Sequence, residues 1–269
     1  MFRKITESQI SRAIVGEFNK WFEEYIVSDA IVVGAGPSGL MVARDLANAG
    51  LKTLVIESNN YIGGGFWVGG YFMNTLTFRA PADTILGELK IPCKEIEAGL
   101  FVADGPTACS RLISAACDSG ARILNLTKFD DVVYRNNRVE GVVINWSAVS
   151  ALPRQITCVD PIALESKVVI DATGHDAQVA KSLEKRGLLK LQTYGPMDVN
   201  VSEELVVEKT GEIHPGLYAV GMAVSTVFGI PRMGPTFAGM LFSGRKAARQ
   251  IIKVVTPEKN FSSQEAVTV

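Results

Sequence analysis

DAIVVGAGPSGLMVARDLANAGLKTLVIES, residues 29–58, decides the fold. An apolar run enters a glycine turn, a helical pattern follows, and a second apolar run stops at an acid. That succession is a βαβ unit. Gly34, Gly36 and Gly39 stand in the G-x-G-x-x-G spacing between strand and helix. The first permits the tight turn, the second lets a pyrophosphate approach the backbone, and the third lets helix and strand pack closely. Ser38 lies within the same turn. The start of the helix offers unpaired N–H groups and a dipole that favours phosphate. Glu57, at the end of the second strand, is placed to accept hydrogen bonds from an adenosine ribose.

Outward from this unit, the 269 residues suffice for a substantial core. Hydrophobic residues make up 47% and the formal net charge is −1, which gives no electrostatic case for nucleic acid or an anionic membrane. No apolar run reaches the roughly 18–20 residues of a spanning helix. Residues 5–25 mix both charge signs at helical spacing, with Ile10, Ile14, Phe18, Phe22 and Ile26 near one face, and read as an amphipathic helix rather than a signal peptide. The four cysteines, Cys93, Cys109, Cys117 and Cys158, form no C-x-x-C pair and no zinc spacing. Reduced thiols in a cytoplasmic protein are the simplest account.

YIGGGFWVGGYF, residues 61–72, reads as a glycine-rich aromatic loop, too flexible for the interior of a core strand. The pattern predicts a short helix within 82–90, a strand over 97–104 and a helix over 106–120. Short β segments fill 121–149, turning at Asn136-Asn137. KVVIDATG, 167–174, is the near-continuous apolar strand of a parallel sheet buried on both faces. GLYAVGMA, 216–223, reads as another, and 235–253 as a closing helix. We expect a single dinucleotide-binding α/β domain over 1–256, with an N-terminal helix and a β-rich insertion, and a frayed tail over 257–269.

The βαβ start, the later strand ending A-T-G and the final strand-plus-helix resemble the two-dinucleotide FAD/NAD-binding class, glutathione-reductase-like in fold. In that class the last strand usually ends in Gly-Asp, whose carboxylate grips the flavin. Here the pair is Gly221-Met222, which disfavours FAD and leaves an FAD-dependent oxidoreductase as the rival reading.

Cys158, Asp160 and His175 fall in one short segment, and His175 follows KVVIDATG directly. Open α/β sheets place ligands at the ends of such strands. Each residue also has a packing reading: a small buried thiol, a turn-opening Asp, a histidine satisfying a loop carbonyl. Asp160 and His175 together are too few ligands for structural zinc, which wants four. One carboxylate and one imidazole suit a ferrous ion whose other positions are filled by substrate and solvent, or by a neighbouring subunit. Arg232, beside a glycine-proline turn and a helix start, reads as a bidentate receptor for a small carboxylate, against the packing reading of a surface arginine making a loop contact.

With these pieces together, the chain resembles the thiamine thiazole synthase family of the archaeal and eukaryotic kind, from about residue 8 to 253. The resemblance rests on VGAGPSGL, YIGGGFWVGG, VDP at 159–161, TGHD at 173–176 and GIPRMGPTFAGMLFSGRKAA at 229–248. It implies conversion of NAD and glycine into an ADP-linked thiazole carboxylate, with NAD consumed as a substrate and Fe(II) as cofactor. It implies that Ser38, Glu57, Ser58 and Gly65 hold the adenosine diphosphate and that Phe129 lies by the adenine. Met222 and the 158–160 backbone would flank the ribose-derived portion, and Arg232 would grip the glycine carboxylate. Asp160 and His175 would bind Fe(II), the pair completed across a subunit boundary in a homo-octamer. Eukaryotic members carry a cysteine at the position of Cys158 and donate its sulfur. Sulfide-using archaeal members usually have histidine there. Cys158 is therefore expected to be the sulfur donor, with external sulfide as the alternative.

Overall fold

The computed structural model describes residues 1–153 and 159–256. Helix α1 (Glu7–Tyr25) begins at a reciprocal cap: Gln9 N–H donates to the Thr6 hydroxyl and Thr6 N–H to the Gln9 side chain. The βαβ unit follows as β1 (Val27–Val33), α2 (Pro37–Asn48) and β2 (Thr53–Ile56). The glycine-rich segment holds one helical turn, α3 (Gly65–Val68), and leads through β3 (Thr75–Arg79) to α4 (Asp83–Glu88). Next come β4 (Cys93–Glu97), β5 (Leu100–Asp104), α5 (Gly105–Asp118) and β6 (Arg122–Leu124). The hairpin of β7 (Thr127–Arg135) and β8 (Arg138–Trp146) turns at Asn136 and Asn137, both at positive φ. β9 (Ile162–Asp171), α6 (Gln178–Glu184), β10 (Gly195–Met197) and α7 (Val199–Lys209) precede β11 (Gly211–His214) and β12 (Leu217–Ala219). The described residues end with α8 (Met222–Phe228), β13 (Pro231–Arg232) and α9 (Ala238–Val255).

The central sheet runs β12-β9-β1-β2-β6 with these strands parallel, and β11 lies antiparallel on the β12 edge. β9 carries the β7–β8 hairpin into the same sheet: Ile162–Glu165 pair antiparallel with β8, and Glu165–Asp171 pair parallel with β1. β3, β5 and β4 form a separate antiparallel sheet.

Alternate residues of β1 serve two cores, which is why the strand is apolar throughout. Ala30 and Val32 join the cluster containing α2, α5 and α9, while Ile31 and Val33 join the one containing β7, β8 and α6.

Three local expectations are corrected. First, α1 packs only through its last turns. Phe18 and Phe22 meet the second core together with Trp21 and Tyr25, whereas Ile10 and Ile14 on the same expected face are 46% and 65% exposed. The aromatic cluster supplies the anchor, with Phe18 edge-on to Trp21 at 5.2 Å. Second, the glycine-rich stretch is not loop throughout. Phe66 on α3 is fully buried, edge-on to Phe78 and Phe237 at 5.9 and 5.3 Å. Third, the strand read over 216–223 stops at Ala219, and Met222 opens a helix. Gly221 makes that turn at φ 61, where a β-carbon would collide with the Ser38 side chain.

No helix among the described residues is long and apolar enough to cross a membrane.

Candidate functional site

β2 and β9 flank β1, and the connections after all three converge at their C-terminal ends. An open cleft of about 420 Å³ lies there. It crosses from Glu57 after β2, past the glycine turn after β1, to His175 after β9. Such a crevice, where strand order reverses, is the ligand position of open α/β sheets.

The glycine turn is held by its neighbours. Gly34 N–H donates to the Ile56 carbonyl at 2.8 Å, and Gly63 N–H donates to the Ala35 carbonyl at 2.8 Å. Ala35 N–H donates to Glu57 Oε2 at 2.9 Å. Glu57 is buried, and its Oε1 accepts from the backbone and side-chain nitrogens of Asn59, each at 2.8 Å. An ionised carboxylate has about four acceptor positions, so one on Oε2 remains for an incoming hydroxyl. A β-carbon at Gly36 would meet nothing within 4 Å, which leaves space for a bulky anion against the backbone. These features fit a dinucleotide.

The structure gathers Gly34, Gly36, Ser38, Glu57, Ser58, Gly65, Phe129, His175 and Met222 into the cleft wall. Gly39 lies behind it, packed against Gly34 and Ala172. Asp160 and Arg232 are exposed and outside the wall. Asp160 lies two residues before β9, next to Val159, whose carbonyl accepts from Asn145 Nδ2 at 3.3 Å. Cys158 lies outside the described residues. Among the described residues of one chain, no group of at least three His, Cys, Asp or Glu side chains is arranged to hold a metal.

His175 is held by its backbone. Thr226 Oγ1 donates to its carbonyl at 2.9 Å. Before it, Asp171 is completely buried at the end of β9. Asp171 Oδ1 accepts from Thr173 N–H at 3.0 Å and Thr173 Oγ1 at 2.7 Å, and Oδ2 accepts from Ala180 N–H at 2.9 Å. Thr173 Oγ1 in turn accepts from Gln178 N–H at 2.7 Å. Burial pushes the Asp171 carboxyl above its ordinary range, and these donors oppose that rise.

The His175 ring packs edge-on against Tyr194 at 4.7 Å, and the Arg232 guanidinium lies over that same tyrosine ring at 5.4 Å. Although His175 is exposed as a residue, its ring is partly desolvated. That desolvation first, and the Arg232 charge second, hold its pKa below the ordinary histidine value, while Asp176 opposes them. A neutral imidazole is the metal-binding form.

Sequence alone does not single out Asp171 or Tyr194. A carboxylate within an otherwise apolar buried strand is a usable signal for the first. No motif marks the second.

Cys109 is buried against the glycine-rich segment at Gly63, with Sγ 3.6 Å from the Ile62 carbonyl, and burial pushes its thiol up to about 12. Cys93 is exposed. Peptide mapping after iodoacetamide treatment of the native protein should find Cys93 alkylated and Cys109 unmodified. Burial lowers the thiolate fraction of Cys109 by roughly a thousandfold relative to an ordinary thiol, even before access is considered. Equal labelling of the two would contradict this burial.

A glycine turn after β1, an acid after β2 and a cleft at the switch point define the class: an α/β protein of Rossmann-like fold with an open crevice at the strand ends. The model of the Thi4 family matches residues 11–237, and the chain belongs to that family. It is 52% identical to the thiamine thiazole synthase of Aeropyrum pernix over 251 residues, covering 93% of each chain. It is 43% identical to that of Pyrococcus horikoshii, over 94% of this chain and 98% of the other. The crystal structure of Thermovibrio ammonificans THI4 superposes with a TM-score of 0.89 at 36% identity, covering 94% of this chain and 99% of that one.

Proposed function

We propose that this chain is a thiamine thiazole synthase. It converts NAD, glycine and sulfur into ADP-linked 5-(2-hydroxyethyl)-4-methylthiazole-2-carboxylate in the cytoplasm. The observation that carries the reading is one cleft with a glycine turn and the buried Glu57 carboxylate at one side and His175 at the other. Family membership supports the same conclusion.

In this reading the turn at Gly34, Gly36 and Ser38, with Ser58 and Gly65, holds the diphosphate and its neighbouring groups. Glu57 accepts from the adenosine ribose, Phe129 lies by the adenine, and Met222 flanks the ribose carbons that are rebuilt. Asp160 and His175 hold Fe(II), the pair completed across a subunit boundary of a homo-octamer. An oxygen and a nitrogen donor leave coordination positions open, and the ion supplies Lewis acidity and orientation to small reactants. The neutral state of His175 suits this role. Arg232 pairs with the glycine carboxylate. Cys158 gives up its sulfur: the Cβ–Sγ bond breaks, the Cα proton leaves, and dehydroalanine remains.

Anaerobic incubation with NAD, glycine and Fe(II) tests the proposal. The expected result is released nicotinamide, an ADP-linked product and a protein lighter by one hydrogen sulfide. Intact NAD would sink the assignment. Unchanged protein mass with many turnovers in added sulfide would retain the synthase and transfer the sulfur role to external sulfide. A flavin spectrum in the purified protein would favour the FAD-dependent oxidoreductase instead.

A further inference from the structure

Beyond the ligands proposed above, the geometry points to a residue that spaces them. Tyr194 lies between His175 and Arg232, touching the imidazole with its edge-on ring at 4.7 Å and underlying the guanidinium at 5.4 Å. Both separations fall within the ranges where aromatic pairs and cation–ring pairs attract.

The backbone makes this placement firm. Gly195 pairs with Pro231 and Met197 with Arg232, so the residue after Tyr194 is tied to the strand that carries the guanidinium. Gly195 N–H donates to the Ile230 carbonyl at 3.0 Å, and Asp198 N–H to the Arg232 carbonyl at 3.1 Å. On the other side, Thr226 holds the His175 carbonyl. These bonds fix main chains and leave the two functional side chains free to rotate. A metal-binding histidine is usually oriented by a hydrogen bond from its second ring nitrogen. Among the described residues, neither ring nitrogen of His175 has such a partner, and the ring's neighbour is Tyr194.

We propose that Tyr194 is a positioning residue whose ring sets the separation and orientation of the His175 imidazole and the Arg232 guanidinium. It thereby lets one small amino-acid carboxylate reach both the metal and the arginine. This rests on the proposed function, in which His175 holds iron and Arg232 holds glycine. An arginine lying over a ring keeps its N–H edge available for a bidentate carboxylate, so the stack and the substrate contact are compatible.

Tyr194→Leu removes the ring, and Tyr194→Phe keeps it. Tyr194 is 42% exposed, so the leucine variant opens no closed cavity. Fe(II) affinity is measured anaerobically by competition with a chromogenic chelator, and the glycine dependence of the single-turnover rate gives an apparent glycine KM and a limiting rate separately. Tyr194→Leu should weaken Fe(II) binding by about tenfold, as losing an orienting partner of a ligand does. It should also raise glycine KM by about tenfold while NAD affinity and the thermal midpoint stay as in the parent. Tyr194→Phe should match the parent in every measurement. If Tyr194→Leu lowers the thermal midpoint, Tyr194→Met, which keeps bulk without a ring, should show the same two losses. Unchanged Fe(II) affinity and glycine KM in the leucine variant overturn the inference, as does a phenylalanine variant that fails equally. A parent protein that takes up no iron and ignores glycine overturns the proposed function and this inference with it. A parent that does both, beside an unaffected leucine variant, overturns the inference alone.

Discussion

Gly39→Ala should lose about 3 kcal/mol of stability, the upper end of the range for overpacking, and with it the proposed dinucleotide site. A β-carbon at residue 39 would drive into the Gly34 carbonyl oxygen and approach the Ala172 β-carbon to 3.1 Å. Neither obstacle can retreat easily. Gly34 is at φ +102 and already faces the Ala172 carbonyl, where its own β-carbon would sit 2.5 Å from the oxygen. The turn is also pinned by the bonds from Gly34 to Ile56 and from Ala35 to Glu57. The helix must therefore move off the sheet, and the N–H groups of its first turn move with it. Those groups are what a diphosphate would bind. A fall of roughly 6–12 °C in thermal midpoint corresponds to the stability loss in a chain of this size. NAD affinity measured by calorimetry should fall by about a hundredfold or more, since the whole array of donors is displaced. Gly16→Ala is the control. It lies on an exposed stretch of α1 with nothing within 4 Å, and should gain about 1 kcal/mol. A Gly39→Ala protein as stable as the parent, with unchanged NAD affinity, would show that the close approach of α2 to β1 is not required.

That helix approach was legible in the sequence because its cause is local. The three glycines and Glu57 act within one βαβ unit, so spacing along the chain translates directly into spacing in the fold. The same holds for the Asn136-Asn137 turn, where both residues adopt the left-handed conformation that their short polar side chains tolerate. Legibility fails where the cause lies between distant segments. The amphipathic stripe of α1 has the correct period along its length. Its packing nevertheless depends on where the aromatic cluster reaches the second core, and that leaves Ile10 and Ile14 uncovered. Phe66 reads as loop in the sequence, since its burial is supplied by Phe78 and Phe237 from other segments. The site divides the same way. His175 could be placed because it ends an apolar strand, whereas the contact joining it to Arg232 passes through Tyr194, a residue without a motif of its own.

Asp171→Ala should cost about 4 kcal/mol and should loosen the His175 turn as it does so. Removing the carboxylate leaves the Ala180 N–H without its acceptor in a fully buried position, and both donors of Thr173 lose theirs. Each buried donor left unmade costs about 1–3 kcal/mol, and partly exposed Thr173 can recover some of that from water. The damage does not stop at β9. Thr173 Oγ1 receives Gln178 N–H, so the turn bearing His175 is closed at both ends through Asp171. Ala177 within it is held at φ 41, a conformation that a β-carbon resists and that the surrounding bonds must maintain. Asp171→Asn separates the two effects. Its oxygen can satisfy Thr173, but its amide then faces the Ala180 N–H donor to donor, for a cost of about 2 kcal/mol. Urea midpoints should therefore fall in the order parent, asparagine, alanine. If the turn positions a metal ligand, Fe(II) affinity should follow the same order, by about tenfold or more in the alanine variant. A midpoint that falls while Fe(II) affinity holds would leave Asp171 a brace for α6 alone. Parent-like values of both would mean that the buried carboxylate does not hold the turn.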